Sequence, residues 1–262
     1  MKIVKASYLI ECPEEPLEML KRIERAARVC YKSEDKITDT SYADMIRRLI
    51  KSGHESVLEH GIMSVKSITD RGVSHEIVRH RIASYSQEST RFCSYDKDKF
   101  GHEITVIDLE QHLKNPLSLS VWTKAMRNAE MAYFEMLALG ESPQIARSVL
   151  PNSLKTEIVK TYNLREWRLF FKQRTAPQAH PQMRELTIPL LQDFKDLIPV
   201  VFDDIGPNKK ENEHVCKLGK WYAFSTLSAF LKCVECDKVI AESFCCPTAN
   251  YVELNKIEIP WE

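Results

Sequence analysis

Residues 79–91 of the chain read Arg-His-Arg-Ile-Ala-Ser-Tyr-Ser-Gln-Glu-Ser-Thr-Arg. This stretch places three arginines and one histidine among hydroxyl and amide side chains, a mixture that is poor core material. Guanidinium groups match phosphate oxygens with paired hydrogen bonds, and hydroxyl and backbone N–H groups satisfy the remaining acceptors. A charge run of this kind can also be a solvated helix end. Composition alone leaves both interpretations open.

The spacing within the stretch favours a ligand site. Arg79-His80-Arg81 is followed by seven residues and then by Ser89, with Arg91 two positions later. This pattern resembles the signature of flavin-dependent thymidylate synthases. The resemblance implies methylation of dUMP to dTMP, with methylenetetrahydrofolate as carbon donor, reduced FAD as hydride donor and NADPH as the reductant of the flavin. It also implies a homotetramer with active sites between subunits.

Composition limits the class of protein. Lys plus Arg and Asp plus Glu are both 37, so the net charge is zero, which argues against broad nucleic-acid binding. No apolar run approaches the roughly 18 to 20 residues that cross a bilayer, and the start lacks a signal-peptide pattern. We therefore expect a cytoplasmic protein without a membrane or nucleic-acid partner. In a reducing compartment, the eight cysteines favour thiols or metal ligands over disulfides.

The spacing of apolar residues predicts both strands and helices. We expect an α+β fold, with a central antiparallel sheet flanked by several long helices. We predict a catalytic domain over residues 1–205 and a small cysteine-rich appendage over 206–262. The apolar stripe of the longest helix, near 118–139, is interpreted as core. The predicted strands cover 2–10, 62–69 and 104–107, and the predicted helices cover 16–30, 40–51, 71–80, 118–139, 163–174 and 182–202, with another helix starting at Ser142-Pro143.

The resemblance, carried by the signature and by the segments 54–60, 143–151 and 163–174, implies the roles of individual residues. The flavin contacts would be Ser56, Arg79, His80, Arg81, Gln87, Asn163, Leu164 and Arg165. The nucleotide contacts would be Glu76, Arg79, Gln87, Glu88, Ser89, Thr90, Arg91, Arg147 and Arg174. The catalytic residues would be Arg174, Ser89 and His54.

Arg174 also stands out on physical grounds. It shares a predicted helix face with Trp167, Phe170 and Phe171, and an arginine on an apolar face needs an anionic or carbonyl partner. Such an arginine could stabilise negative charge on a pyrimidine ring, as an oxyanion hole does. The chain departs from the family pattern at Glu76, where glutamine is usual, and at Leu169, where asparagine or histidine is usual.

Two groups of residues have compositions that suggest metal sites. The histidines and carboxylates of 54–60 could form one, but their spacing is not that of two ligands on one helical face, and a structural loop is the alternative interpretation. In the tail, Cys233-x-x-Cys236 and Cys245-Cys246-Pro247 resemble part of a zinc ribbon, with His214 or Cys216 as a further ligand. Ala249 occupies the place of the last cysteine of a full ribbon. Zinc binding and a degenerate ribbon without metal both stay open.

A second hypothesis is a non-enzymatic nucleotide or nucleic-acid binder. In that case the same arginines would hold phosphates, and the cysteine-rich tail would be an interaction module. A bound flavin separates the two hypotheses, because only the enzyme would purify as a yellow protein.

Overall fold

The computed structural model describes residues 1–11 and 14–206, together with short strands of the tail. These tail strands are His214–Val215, Trp221–Tyr222, Phe230–Cys233, Val239–Ala241 and Ala249–Tyr251. The side chains of the tail cysteines lie outside the described residues, so the predicted zinc ribbon and its degenerate alternative stay predictions. Within the described residues, no group of three or more His, Cys, Asp or Glu side chains is placed to hold a metal ion.

The fold is α+β, and its centre is a four-stranded antiparallel sheet in the order β2-β3-β6-β4. This confirms the predicted central antiparallel sheet. A second, two-stranded sheet pairs β1 with β5 in parallel, so the single strand predicted over 2–10 was wrong: the structure divides it into β1 and β2, which belong to different sheets. The strands are β1 Lys2–Val4, β2 Ser7–Glu11, β3 Ile62–Asp70, β4 Ala83–Gln87, β5 Thr105–Ile107 and β6 Lys155–Asn163.

Strand β6 shows why the central sheet has one core face. Its side chains alternate between buried and half-buried positions, with Thr156, Ile158, Lys160 and Tyr162 on the buried face. Successive side chains of a strand point to opposite faces, so the residues between them lie on the other side. The pairing places Tyr162 opposite both Met63 of β3 and Ala83 of β4, and the buried face is therefore continuous across these strands.

Eight α-helices occur in the described part of the chain. They are α1 Pro16–Val29, α2 Ser41–Lys51, α3 Arg71–Ile77, α4 Leu117–Ala138, α5 Pro143–Ala146, α6 Leu164–Arg174, α7 Pro181–Leu197 and α8 Pro199–Phe202. Short 3₁₀ helices occupy Glu34–Lys36, Glu55–His60, Asp98–Phe100, Glu110–His112 and Arg147–Val149. None of the helices in the described residues is both long and apolar enough to cross a bilayer.

Local signals define several helix ends as predicted. The Asp70 carboxylate accepts a hydrogen bond from the Val73 N–H and begins α3, and Gly53 follows α2 with φ of +73°. Two predicted ends were wrong: α3 stops at Ile77 rather than residue 80. The helix predicted over 182–202 divides into α7 and α8 at Ile198, whose backbone leaves the helical region with φ of −140° and ψ of 64°, and Pro199 is the first residue of α8.

The main core lies between the sheet and helices α6, α7 and α8. Its aromatic rings meet edge to face or tilted, with Trp167 and Phe194 centroids 4.8 Å apart and Phe171 and Phe202 centroids 5.6 Å apart. Such pairs add to the hydrophobic gain from burial. This core holds α6 rigidly against β6, and the side chains of α6 that leave the core are those of the candidate site.

The start of α6 is fixed by a close contact with Gly61. The Asn163 side chain accepts a hydrogen bond from the Glu166 N–H and caps the helix, as predicted. The Leu164 side chain is fully buried, and a Cβ at position 61 would lie 2.7 Å from Leu164 Cδ1. Glycine at 61 therefore lets the 3₁₀ helix Glu55–His60 approach the first turn of α6.

The prediction that the whole apolar stripe of α4 is core was wrong. Only Met126 and Tyr133 of this helix are buried, and Val121 is 71 % exposed. Helix α4 packs on a small second cluster that includes Tyr95, Ile104 and Leu154. The stripe is wider than this cluster, so much of it stays at the surface of the single chain. Its members are Val121, Trp122, Ala125, Ala129, Ala132, Tyr133, Met136 and Leu137.

Candidate functional site

The first half of the signature forms the turn between α3 and β4. His80 is buried at 4 % exposure, where its ring lies edge-on to Phe170 with centroids 5.0 Å apart. Arg79 and Arg81 flank it and are exposed. The Arg81 guanidinium donates to the backbone carbonyls of Val78 and His80, which stabilises the turn. The alternative of a solvated helix end therefore fits the arginines but not the histidine.

His80 connects Glu166 with Arg174. Its Nδ1 lies 2.7 Å from Glu166 Oε1, and Arg174 Nε donates to its Nε2 over 3.1 Å. Since Nε2 accepts a hydrogen bond, the ring proton must be on Nδ1, which then donates to the carboxylate. The imidazole is therefore neutral, with one defined tautomer.

The two remaining donors of Arg174 contact a single residue of α3. Nη1 donates to Glu76 Oε2 over 2.8 Å, and Nη2 donates to the Glu76 backbone carbonyl over 3.0 Å. The anionic partner that the sequence required for Arg174 is thus present in the chain itself. We call Glu76, His80, Glu166 and Arg174 the Arg174 network.

Burial sets the electrostatics of this network. Burial, with the nearby Arg174 and Lys160 cations, lowers the pKa of His80 to about 4, which agrees with a neutral ring. Burial raises the pKa of the Glu166 carboxyl to about 7. Lys160 lies fully buried beneath the network, its ammonium 5.0 Å from the Phe170 ring centre and 2.9 Å from Ser67 Oγ. Burial lowers the pKa of this lysine to about 7.

A cleft of about 440 Å³ opens beside the network, and we call it the α6 cleft. It brings together Arg81, Asn163 and Arg165, three of the predicted flavin residues. The Arg165 guanidinium pairs with Glu59 over 2.7 Å, while Leu169 presents an apolar surface. The residues that line the cleft are Glu55, Glu59, Arg81, Ile82, Asn163, Arg165, Glu166, Leu169 and Lys172.

The second half of the signature meets the segment after α4. Arg147 Nη1 donates to Thr90 Oγ1 over 3.2 Å, and Arg91 Nε donates to Gln144 Oε1 over 3.2 Å. The Arg91 N–H also points to Ser89 Oγ at 3.3 Å. We call Ser89, Thr90, Arg91, Gln144 and Arg147 the anion cluster. Neither arginine forms an ion pair with any residue of the described chain, so both positive charges are available to a ligand.

Other predicted site residues lie apart from these groups or are engaged elsewhere. His54 and Ser56 are exposed around the 3₁₀ helix Glu55–His60. Gln87 donates to Ser74 and Thr156 within the fold, and Glu88 pairs with Lys155 over 3.2 Å. The Leu164 side chain is core, so only its backbone could meet a ligand. Their assigned roles stay predictions.

Sequence reasoning missed Glu166. A carboxylate three residues after the helix-capping Asn163 is ordinarily interpreted as part of a capping box, and this position concealed its contact with His80. The two residues are 86 positions apart. The sequence offered no signal for this contact, because the burial of His80, which requires hydrogen-bond partners for its ring nitrogens, is visible only in the structure.

Comparison with known proteins supports the resemblance. The family described as "Thymidylate synthase complementing protein" matches residues 15–200. A flavin-dependent thymidylate synthase of Geobacter sulfurreducens is 34 % identical over 192 residues, which cover 70 % of this chain and 80 % of that protein. The corresponding protein of Pyrococcus furiosus is 31 % identical over 211 residues, covering 76 % of this chain and 84 % of the relative.

The fold also matches a solved structure. The crystal structure of a UMP/dUMP methylase, PolB, from Streptomyces cacaoi bound with 5-Br dUMP aligns with a TM-score of 0.62. The alignment covers 78 % of this chain and 96 % of that chain at 24 % sequence identity. At this identity the match shows a shared fold.

Proposed function

The chain belongs to the flavin-dependent thymidylate synthase family, and from this membership we propose that it methylates dUMP to dTMP. We further propose FAD as the bound cofactor, methylenetetrahydrofolate as the carbon donor and NADPH as the reductant. The observation that carries the proposal is the Arg174 network, because it holds a guanidinium in a fixed orientation at the edge of the core.

The α6 cleft fits a flavin nucleotide. A flavin combines a flat apolar ring system with an anionic diphosphate, and the cleft offers Leu169 and Ile82 beside the cations Arg81, Arg165 and Lys172. Arg165 and Lys172 are paired with Glu59 and Glu55, so a diphosphate would compete with these carboxylates. Asn163 adds a polar side chain at the start of α6. When bound there, FAD would supply hydride-transfer chemistry that no amino-acid side chain can perform. Leu169 cannot hydrogen-bond to the flavin, so binding would depend on the other contacts.

The anion cluster fits the phosphate of dUMP. Arg91 and Arg147 donate hydrogen bonds to neutral oxygens, Arg91 also lies over the Phe92 ring, and hydroxyls of Ser89 and Thr90 lie beside the two arginines. Charge-assisted hydrogen bonds from arginine to phosphate are stronger than those between neutral groups. These residues would anchor the nucleotide without taking part in the bond changes.

Arg174 would act on the pyrimidine ring. Methylation requires a nucleophilic ring carbon, which forms as negative charge moves onto the ring carbonyls and N3. A guanidinium already oriented by His80 and Glu76 stabilises this charge with little reorganisation. Glu76 would share its partner with the substrate, since its carboxylate occupies Nη1 of Arg174.

We propose that complete sites form between subunits of a homotetramer. One feature of the single chain supports this assembly. The partly uncovered stripe of α4 offers apolar surface for association.

The proposal is tested on the purified chain. A bound flavin should absorb at about 450 nm, and the reduced flavin should be consumed only when dUMP and methylenetetrahydrofolate are both present, with dTMP as product. A colourless protein that binds dUMP without turnover would instead support the non-enzymatic nucleotide binder.

A further inference from the structure

Glu166 lies at the junction of two parts of the candidate site. It lines the α6 cleft, and its Oε1 contacts His80 Nδ1 at 2.7 Å. On the opposite side of the imidazole, Nε2 accepts from Arg174 Nε. The imidazole is packed between Tyr162 and Phe170. This packing fixes the ring orientation, with Nδ1 towards Glu166 and Nε2 towards Arg174.

The contact with Arg174 depends on which imidazole nitrogen holds the proton. Nε2 can accept from Arg174 only while Nδ1 carries the hydrogen. The opposite tautomer would place two N–H donors against each other at 3.1 Å. Glu166 selects the productive tautomer because its carboxylate is the acceptor for Nδ1–H.

We propose that Glu166 is a positioning residue for Arg174, acting through the tautomer of His80 and linking the α6 cleft to the nucleotide site. The proposal rests on the proposed function for the identity of the nucleotide. The Arg174 guanidinium makes three intramolecular hydrogen bonds, two with Glu76 and one with His80. Only the hydrogen bond to His80 involves Nε. Without it, the guanidinium could rotate while its Nη atoms stay bound to Glu76.

Ionised Glu166 favours the His80 tautomer that accepts a hydrogen bond from Arg174. A carboxylate can only accept from Nδ1, whereas a protonated carboxyl can donate its O–H to Nδ1 and favour the wrong tautomer. Because burial raises the pKa of Glu166 to about 7, Arg174 becomes better anchored as the pH increases through neutrality. The titratable and charged groups around this pair are Glu55, Glu59, Glu76, Arg81, Tyr85, Lys160, Tyr162, Arg165, Lys172 and Arg174.

Three variants test the proposal. Glu166→Ala removes the acceptor, Glu166→Gln keeps an acceptor oxygen but cannot ionise, and Glu185→Gln is a matched control. Glu185 forms the same kind of pair with His112 at 2.8 Å, away from the candidate site. Flavin absorbance checks each holoenzyme for an intact cleft, and calorimetry measures dUMP binding from pH 6 to pH 8.5.

We expect Glu166→Ala to weaken dUMP binding about tenfold, the usual effect of losing one hydrogen bond to a charged group. Glu166→Gln should bind dUMP nearly as tightly as wild type at neutral pH. It should also lose the part of the pH dependence centred near 7, measured as the difference from wild type because the phosphate of dUMP titrates too. Glu185→Gln should behave as wild type.

The outcomes separate this inference from the proposed function. If wild type fails to bind dUMP, the proposed function is wrong. If wild type binds dUMP but Glu166→Ala binds it equally well at every pH, Glu166 does not position Arg174. If Glu166→Ala loses its flavin or fails to fold, the Glu166→Gln pH profile decides, and a profile identical to wild type overturns the proposal.

Discussion

The Arg174 network and the anion cluster are both built around arginines, but they hold them in opposite ways. Arg174 is 17 % exposed and satisfied by a carboxylate, a backbone carbonyl and an imidazole. Arg91 and Arg147 are exposed and contact only neutral groups, which are oxygen atoms and, for Arg91, the Phe92 ring. An arginine fixed in advance can respond to charge that develops during a reaction, whereas an unneutralised arginine captures a charge already present on the ligand.

This difference predicts distinct kinetic effects in the two regions. Arg174→Ala should retain the fold and the flavin but lose turnover about 100- to 1000-fold, the range seen on removing one oxyanion-stabilising donor. Steady-state kinetics with flavin absorbance would measure both quantities. Arg22→Ala, which removes a surface arginine paired with Glu14, is the control. Near-normal turnover of the Arg174 variant would remove Arg174 from the mechanism.

The buried Lys160 should make the stability of the folded chain depend on pH. Because burial lowers its pKa to about 7, below that pH the folded chain must hold a buried cation. The unfolded chain keeps this proton up to pH about 10.4, so wild-type stability should increase as the pH rises from 7 towards 10. Lys160→Met should raise the free energy of unfolding at pH 6.5 by roughly 1 to 4 kcal/mol, measured by urea denaturation.

A matched surface variant serves as the control for Lys160. Lys124 is exposed on α4, and Lys124→Met should leave both the stability and its pH dependence unchanged. A Lys160→Met protein that is less stable than wild type at pH 6.5 would contradict the account, since it would mean that the Ser67 and ring contacts outweigh the cost of burial.

Arg147 should show the signature of a binding residue. Arg147→Ala removes a charge from the anion cluster, and we expect the dissociation constant of dUMP to increase about tenfold while kcat stays close to wild type. Arg127→Ala, on the exposed face of α4, is the control. If Arg147→Ala instead lost as much kcat as Arg174→Ala without weaker dUMP binding, the anion cluster would not be a binding region distinct from the Arg174 network.

Glu76 both pairs with Arg174 and places a negative charge close to the proposed nucleotide site. Glu76→Gln keeps an acceptor for Arg174 Nη1 but removes a negative charge near the incoming nucleotide. We expect dUMP to bind about two- to fivefold more tightly, the effect of one partly exposed charge, as measured by calorimetry. Weaker binding would show that the carboxylate itself is required to hold Arg174.

Cys93 should have the smallest effect. It is a half-buried thiol close to the signature, and a flavin route needs no thiolate nucleophile, while Arg174 polarises the ring. Cys93→Ser should therefore retain most activity in the dUMP assay. A variant that binds FAD and dUMP normally yet cannot turn over would replace this route with a covalent thiolate mechanism.

The features that could be predicted from the sequence are those with local causes. Asp70 and Asn163 cap the helices that they precede, Gly53 ends α2, and alternation predicted β3. Each depends on residues within a few positions. The signature predicted His80 as a site residue, and the apolar helix face with the match over 163–174 predicted Arg174. Neither pattern indicated how the two side chains meet.

The remaining features depend on distant partners. Glu76 and Arg174 are 98 positions apart, and His80 and Arg174 are 94 apart. No local pattern encodes these contacts, because they arise when α6 packs across the end of α3. The exposure of Val121 on α4 has the same origin: periodicity finds an apolar stripe, but only tertiary packing decides how much of it is covered.

Direct detection of product tests the central claim. Holoenzyme with its flavin chemically reduced would be mixed anaerobically with dUMP and methylenetetrahydrofolate, and the nucleotides separated after a single turnover. We predict dTMP in an amount matching the flavin oxidised by wild type, and almost none from Arg174→Ala with the same flavin content. Absence of dTMP from wild-type protein that binds both flavin and dUMP would contradict the account.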